Sequence, residues 1–75
     1  MKKSKITLKI GKRIIQLREE KGITSEKLAF ISGVSKNALR YIERNLSDPR
    51  ISTLEQIAYG LNISLLELLD FPKDN

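Results

Sequence analysis

Two hydroxyl residues and a glycine, at fixed spacing, constrain this chain more than any other feature. They lie in the stretch Ile23–Pro49, ITSEKLAFISGVSKNALRYIERNLSDP. Thr24 and Ser35 each stand just before a short helical run, where a side-chain oxygen can accept from an otherwise unpaired first-turn amide. Gly33, between the runs, supplies the positive φ that a sharp turn needs. The spacing predicts a helix over Ser25–Ser32 that buries Leu28 and Ala29, then a tight turn with Val34 tucked inward. A second helix follows over Ser35–Arg44.

Wound at 3.6 residues per turn, the second helix has two unlike faces. Leu39, Ile42 and Glu43 share one, bordered by Ala38, while Lys36, Arg40 and Arg44 line the other, flanked by Asn37 and Tyr41. A polar face on a short helix is by default merely solvated. The helix and Gly-containing turn before it change that balance, because helix, short turn, helix is the arrangement that places a second helix in a DNA major groove. Cations and planar hydrogen-bonding groups near the helix start are what phosphates and base edges require.

The order L-A-x-x-S-G-V-S-x-x-x-L-x-x-I-E-R, from Leu28 to Arg44, resembles the lambda-repressor and Cro class of helix-turn-helix proteins, the XRE type. The similarity extends upstream through Leu17-Arg18-Glu19-Glu20-Lys21-Gly22 and downstream through Pro49 and Thr53-Leu54, covering about residues 10–69. It implies a compact five-helix, all-α domain in which the second and third helices form the reading unit.

Composition agrees with a small all-α domain. Seventy-five residues make one domain that buries only roughly 60% of its unfolded surface. Without Cys or His there is no disulfide, no thiolate metal site and no histidine base, and a reducing cytoplasm is the natural setting. No apolar run exceeds the four residues of Leu28–Ile31, too few for a signal-peptide core or a membrane span. Strand-type alternation is brief, confined to Lys5–Ile10. The net charge of +5 is uneven: residues 1–50 hold 13 of the 14 Lys and Arg and five of the nine acids, a balance of +8, against −3 for residues 51–75. Ordinary solubilising charge could account for that asymmetry alone, but beside a helix-turn-helix it points to a polyanion.

Residues 1–6 read as a flexible basic arm and 7–71 as the domain, with 72–75 a frayed C-terminus. The first helix is expected to start near Thr7 or Lys9 and run to Lys21, ending at Gly22, with Ile10, Ile14 and Leu17 on one face. Arg18 then falls on the inward side, costly for a guanidinium without a partner. Glu43 has the complementary problem, so the two are expected to meet, as an Arg and a Glu at these places do in the family resembled. Asn45 should close the DNA-reading helix in the left-handed conformation, with a loop over Leu46–Ile51. Ser52 is the expected N-cap of a fourth helix burying Leu54, Ile57, Ala58 and Leu61, ended by Asn62 and weakened by Gly60. Ser64 should cap a fifth helix, Leu65–Asp70.

The resemblance implies base contacts from Ser35, Lys36 and Asn37, with Arg40 and Tyr41 one turn on. Asn suits adenine and Lys suits guanine. Thr24, Arg44 and Arg50 fall where relatives touch phosphates. At Ser25 the family usually carries a Gln that braces the DNA backbone; here the helix N-terminal amides remain as the phosphate site. Lys9, Lys12 and Arg13 are candidates for outer contacts.

No catalytic arrangement is recognisable: no His activates the Ser and Thr residues, the acids are scattered, and no glycine-rich phosphate loop exists. The expectation is a sequence-specific double-stranded DNA-binding regulator without enzymatic activity, metal or cofactor. A repressor or autoregulator is favoured, since 75 residues leave no room for a ligand-sensing domain. A single reader of this size meets one half-site, so a homodimer on a palindromic operator is expected. Leu66, Leu69 and Phe71 are the candidate dimer patch. The alternative is a protein-interaction module, such as an antitoxin-like partner or bridging factor, to which consecutive Phe30 and Ile31 lend support because both cannot be fully buried. A peripheral membrane binder would need a larger apolar face than the basic first helix offers.

Overall fold

The computed structural model describes residues 5–72. Five helices follow one another: α1 (Lys5–Glu20), α2 (Ser25–Ser32), α3 (Lys36–Glu43), α4 (Ile51–Gly60) and α5 (Leu65–Leu68). Helix α2 packs against α3 and α4, α1 crosses α3 and α5, and α4 leads into α5. Ile14, Leu28, Leu39, Leu54, Ile57, Leu61 and Leu68 are fully enclosed, so every helix contributes to one core. No helix among the described residues is long and apolar enough to cross a membrane.

Four of the helices end in the same way. The residue after each final turn is left-handed: Gly22, Gly33, Asn45 and Asn62, with φ of 70°, 73°, 60° and 61°. The next amide then reaches back to a carbonyl one turn deep: Ile23 N to Arg18 O, Val34 N to Ala29 O, Leu46 N to Tyr41 O, and Ile63 N to Ala58 O, at 2.8–3.1 Å. These paired bonds use carbonyls that a helix terminus otherwise leaves unpaired. Gly and Asn occupy these positions because they adopt positive φ at least cost.

Helix starts agree less uniformly with the sequence expectations. Helix α1 begins at Lys5, not at Thr7 or Lys9, so residues 5 and 6 of the expected arm are helical. The reason is that Thr7, with Ile10, Gly11 and Ile14, is buried in this helix. The inward stripe therefore extends one turn upstream of its first apolar residue. Residues 1–4 of the arm, and 73–75 of the expected frayed end, lie outside the described residues. Helix α4 is not capped by Ser52. It begins at Ile51 with Arg50 at the N-cap and no side-chain cap bond. A Ser cap is worth only about 1 kcal/mol, and Arg50, extended after Pro49 at φ −71° and ψ 150°, already supplies the approach geometry. Ser64 does cap α5, in a reciprocal box with Glu67, but the helix stops at Leu68 rather than Asp70.

Two glycines mark where helices approach closely. A Cβ at Gly11 would stand 2.6 Å from the carbonyl oxygen of Ile42 and 3.0 Å from that of Glu43, so α1 rests directly on the backbone of α3. Gly60, expected only to weaken α4, has a packing role: a Cβ there would collide with Ser32 Oγ and press on Leu28. Close helix contact, rather than helix propensity, accounts for both.

Candidate nucleic-acid interface

The turn is built as its residues dictate. Thr24 Oγ1 accepts from Lys27 N at 3.0 Å to start α2, and Ser35 Oγ accepts from Ala38 N at 3.0 Å to start α3. Between them Gly33 donates to Phe30 O and Val34 to Ala29 O, and Val34 packs against the core. Helix α3 is held from beneath by Leu39 and Ile42, 0% and 3% exposed. With that face buried, Lys36, Asn37, Arg40, Tyr41 and Arg44 are all exposed. From Lys36 to Arg44 the helix rises about 12 Å, the length of three to four base steps at about 3.4 Å each.

The phase of α3 is locked at its far end. Arg18 of α1 donates from Nε to Glu43 Oε2 at 2.9 Å and from Nη2 to Oε1 at 3.3 Å, and its Nη1 reaches Ile23 O at 3.3 Å. The pair expected from sequence is thus a two-point bond that also ties down the chain entering α2. Arg44 follows Glu43 immediately and lies exposed where α3 ends.

The flanking phosphate candidates are gathered around this helix. Thr24 is exposed at the head of α2, its oxygen engaged as the cap, and Ser25 is half-buried beside it. The loop after α3 folds back, so that Arg50 and Asp48 line a shallow hollow of about 250 Å³ together with Tyr41 of α3. A cation at the head of α4 therefore stands beside α3, although six residues separate it from that helix in sequence.

Arg13, a candidate outer contact, reaches across to the end of α5. Its Nε donates to Leu68 O at 3.3 Å and its Nη2 to Glu67 O at 3.0 Å, satisfying carbonyls at the end of α5. Lys9 lies toward the same end, its Nζ 6.0 Å from the centre of the Phe71 ring, and Lys12 lines the hollow they share. The dimer candidates divide. Leu66 is 82% exposed, whereas Leu69 and Phe71 pack in part against the domain's own core. Phe30, at 82%, and Ile31, at 39%, are both exposed.

Two residues that shape this surface were not legible from the sequence. Gly11 sets the distance between α1 and α3. Glu26, on the first turn of α2, places Oε2 3.3 Å from Lys36 Nζ. The pair stands ten positions apart on two different helices, so no period within one helix relates them.

Comparison with known proteins agrees with this architecture. Over 62 residues the chain is 47% identical to the HTH-type transcriptional regulator SinR of Bacillus subtilis (strain 168), a match covering 81% of this chain and 56% of that protein. It is 43% identical over 58 residues to the HTH-type transcriptional regulator SutR of Escherichia coli (strain K12), covering 77% of this chain and 33% of that one. The chain thus spans about half or less of the length of these two regulators. Among solved structures, SinR in complex with DNA superposes with a TM-score of 0.75 at 47% identity, over 81% of this chain and 98% of that chain. The restriction-modification controller protein C.Esp1396I, a tetramer in complex with its natural 35 base-pair operator, gives a TM-score of 0.81 at 36% identity, over 88% and 91%. The family model described as Helix-turn-helix (HTH_3) matches residues 14–68, from the middle of α1 to the end of α5. With that much of its length matched, and with the capped turn, buried α3 and Arg18–Glu43 clasp in place, the chain belongs to the helix-turn-helix family.

Proposed function

We propose that this chain is a sequence-specific double-stranded DNA-binding transcriptional regulator, a repressor or autoregulator acting in the cytoplasm rather than an enzyme. One observation carries the reading. Helix α3 is anchored on one side by fully buried Leu39 and on the other presents Lys36, Asn37, Arg40, Tyr41 and Arg44 to solvent. In this reading Lys36 and Asn37, with the free proton of Ser35, meet base edges in the major groove, and Arg40 and Tyr41 extend the contact. Arg44, Arg50 and the head of α2, at Thr24 and the Ser25 amide, meet phosphates.

Dimensions support a homodimer on a palindromic operator. The domain measures at most 29 Å, less than the roughly 34–36 Å between half-sites one helical turn apart. One domain therefore reaches one half-site, and a second, related by a two-fold axis, reaches the other. Leu66 is the residue we place at that contact, with Leu69 and Phe71 contributing the edges they leave uncovered. A second reading, a protein-docking module, draws on Phe30, exposed beside Ile31 on α2.

Selection of bound duplexes from a random pool, followed by salt titration of the selected site, tests the proposal. An enriched two-fold motif is expected, with affinity falling steeply with salt at a slope of about 0.9 per neutralised phosphate. A pool that yields no motif at moderate salt sinks the regulator reading and leaves the docking module.

A further inference from the structure

Lys36 is the first residue of α3, the end at which a helix dipole is positive and a cation is disfavoured. The first turn of α3 contains no acid. The compensating charge comes from another helix: Glu26 of α2 stands 3.3 Å from the Lys36 ammonium. Both side chains are open to solvent, 56% exposed for Lys36 and 69% for Glu26. An exposed pair of this kind contributes little to folding. The turn it spans is already held by the Gly33 and Val34 amides and by buried Leu28 and Leu39. The pair is therefore not needed to build the motif, yet it engages one of the side chains placed to read bases.

Its effect on reading follows from charge. A lysine is a compact point charge on a flexible stem, and left alone it serves any phosphate within reach. That gain is the same for every sequence. Beside a carboxylate the ammonium is locally neutralised, and the carboxylate itself repels phosphates. What the held ammonium retains are its two other donors, which suit the O6 and N7 acceptors of a guanine. Discrimination is a difference between affinities, so weakening the sequence-blind term raises it.

We propose that Glu26 is a positioning residue for base selectivity: by holding Lys36, it turns a general phosphate-binding cation into a reader of guanine. This rests on the DNA-reading role proposed above. The test compares the whole chain with Glu26→Gln, which keeps the shape and removes the charge. Melting temperature should be unchanged. Binding to random duplex should strengthen several-fold and its salt slope steepen by up to about one unit, as one more net cation meets phosphates. Preference at the operator position facing Lys36 should fall by about two- to fivefold, the scale of an exposed ion pair. Lys36→Met and Lys36→Met combined with Glu26→Gln should select the same motif as each other.

The inference is overturned if Glu26→Gln keeps both the wild-type motif and the wild-type salt slope. It is equally overturned if Glu26→Gln changes the motif as much with Met at position 36 as with Lys, since Glu26 would then act on DNA by itself. Wild-type protein that selects no motif defeats the regulator reading, and this inference with it. Wild-type selection with an indifferent Glu26→Gln defeats this inference alone.

Discussion

Arg18 grips Glu43 with two nitrogens, at 2.9 and 3.3 Å, while its third nitrogen holds the carbonyl of Ile23. One guanidinium thereby joins the end of α3 to the chain entering α2. The side chains are 17% and 9% exposed, so each charge depends on the other for solvation.

Removing one partner should therefore cost more than removing both. Arg18→Ala is expected to destabilise the fold by roughly 3–5 kcal/mol, because Glu43 is left charged and enclosed. Arg18→Met combined with Glu43→Leu should recover much of that in urea denaturation. A double mutant as unstable as the sum of the single ones would show that the two residues do not act as a pair.

Gly11 sets the spacing beneath that clasp. Gly11→Ala gains helix propensity of up to about 1 kcal/mol, but its Cβ meets the Ile42 and Glu43 carbonyls at 2.6 and 3.0 Å. Backbone cannot swing aside as a side chain can, so α1 and α3 must move apart. A net loss of about 1–3 kcal/mol is expected, in the range of overpacked cores, together with weaker operator binding. Unchanged melting and binding would show that the contact relaxes freely.

Reading and positioning should separate under mutation. Asn37→Ala or Lys36→Ala should relax preference at particular operator positions, at roughly 1–3 kcal/mol for each lost bidentate contact. Arg44→Ala should weaken all sequences about equally and flatten the salt slope by about one unit. Uniform loss on changing Asn37, with its preference intact, would mean that another face of α3 enters the groove.

Assembly is best probed at Leu66. It is 82% exposed, and its helical neighbours Leu65 and Leu68 are turned inward. Leu66→Lys should remain folded, because the core does not contain it. By sedimentation it should lose the proposed dimer, and by titration much of the affinity for the proposed palindrome. The wild-type dimer is expected to be weak in free solution, since the apolar area around one Leu yields at most a few kcal/mol at ~25 cal/mol per Å² against the cost of association. A folded Leu66→Lys that dimerises as well as wild type would move the search to Phe30 and Ile31.

What could be read from the chain, and what could not, divides along sequence distance. Thr24, Gly33, Ser35, Asn45, Asn62 and Ser64 each act on backbone within a few residues of themselves, and each has the role its chemistry predicts. The inward faces of α3 and α4 were legible for a related reason, since a 3.6-residue period shows directly which side chains must leave water. Where such local signals are weak, expectation and structure part. Thr7 was expected near the start of the first helix, yet it lies inside α1 and continues its buried stripe. Ser52 looked like a cap, yet the cap position falls two residues earlier, at Arg50.

By itself, then, the sequence determined the helices, their C-terminal turns and the two-faced α3, because caps, left-handed closures and amphipathic periods are forces between near neighbours. Even Arg18 and Glu43 were legible, as two inward charges with no other means of neutralisation. Only the tertiary structure decided the uses of residues whose partners are remote. Arg13 serves the carbonyls of Glu67 and Leu68, across more than fifty positions. Gly11 admits the backbone of α3. Glu26 finds Lys36 across the turn. A guanidinium or a carboxylate on a helix surface interacts with whatever the packing of other helices brings within about 4 Å, and no repeat in the chain encodes that distance.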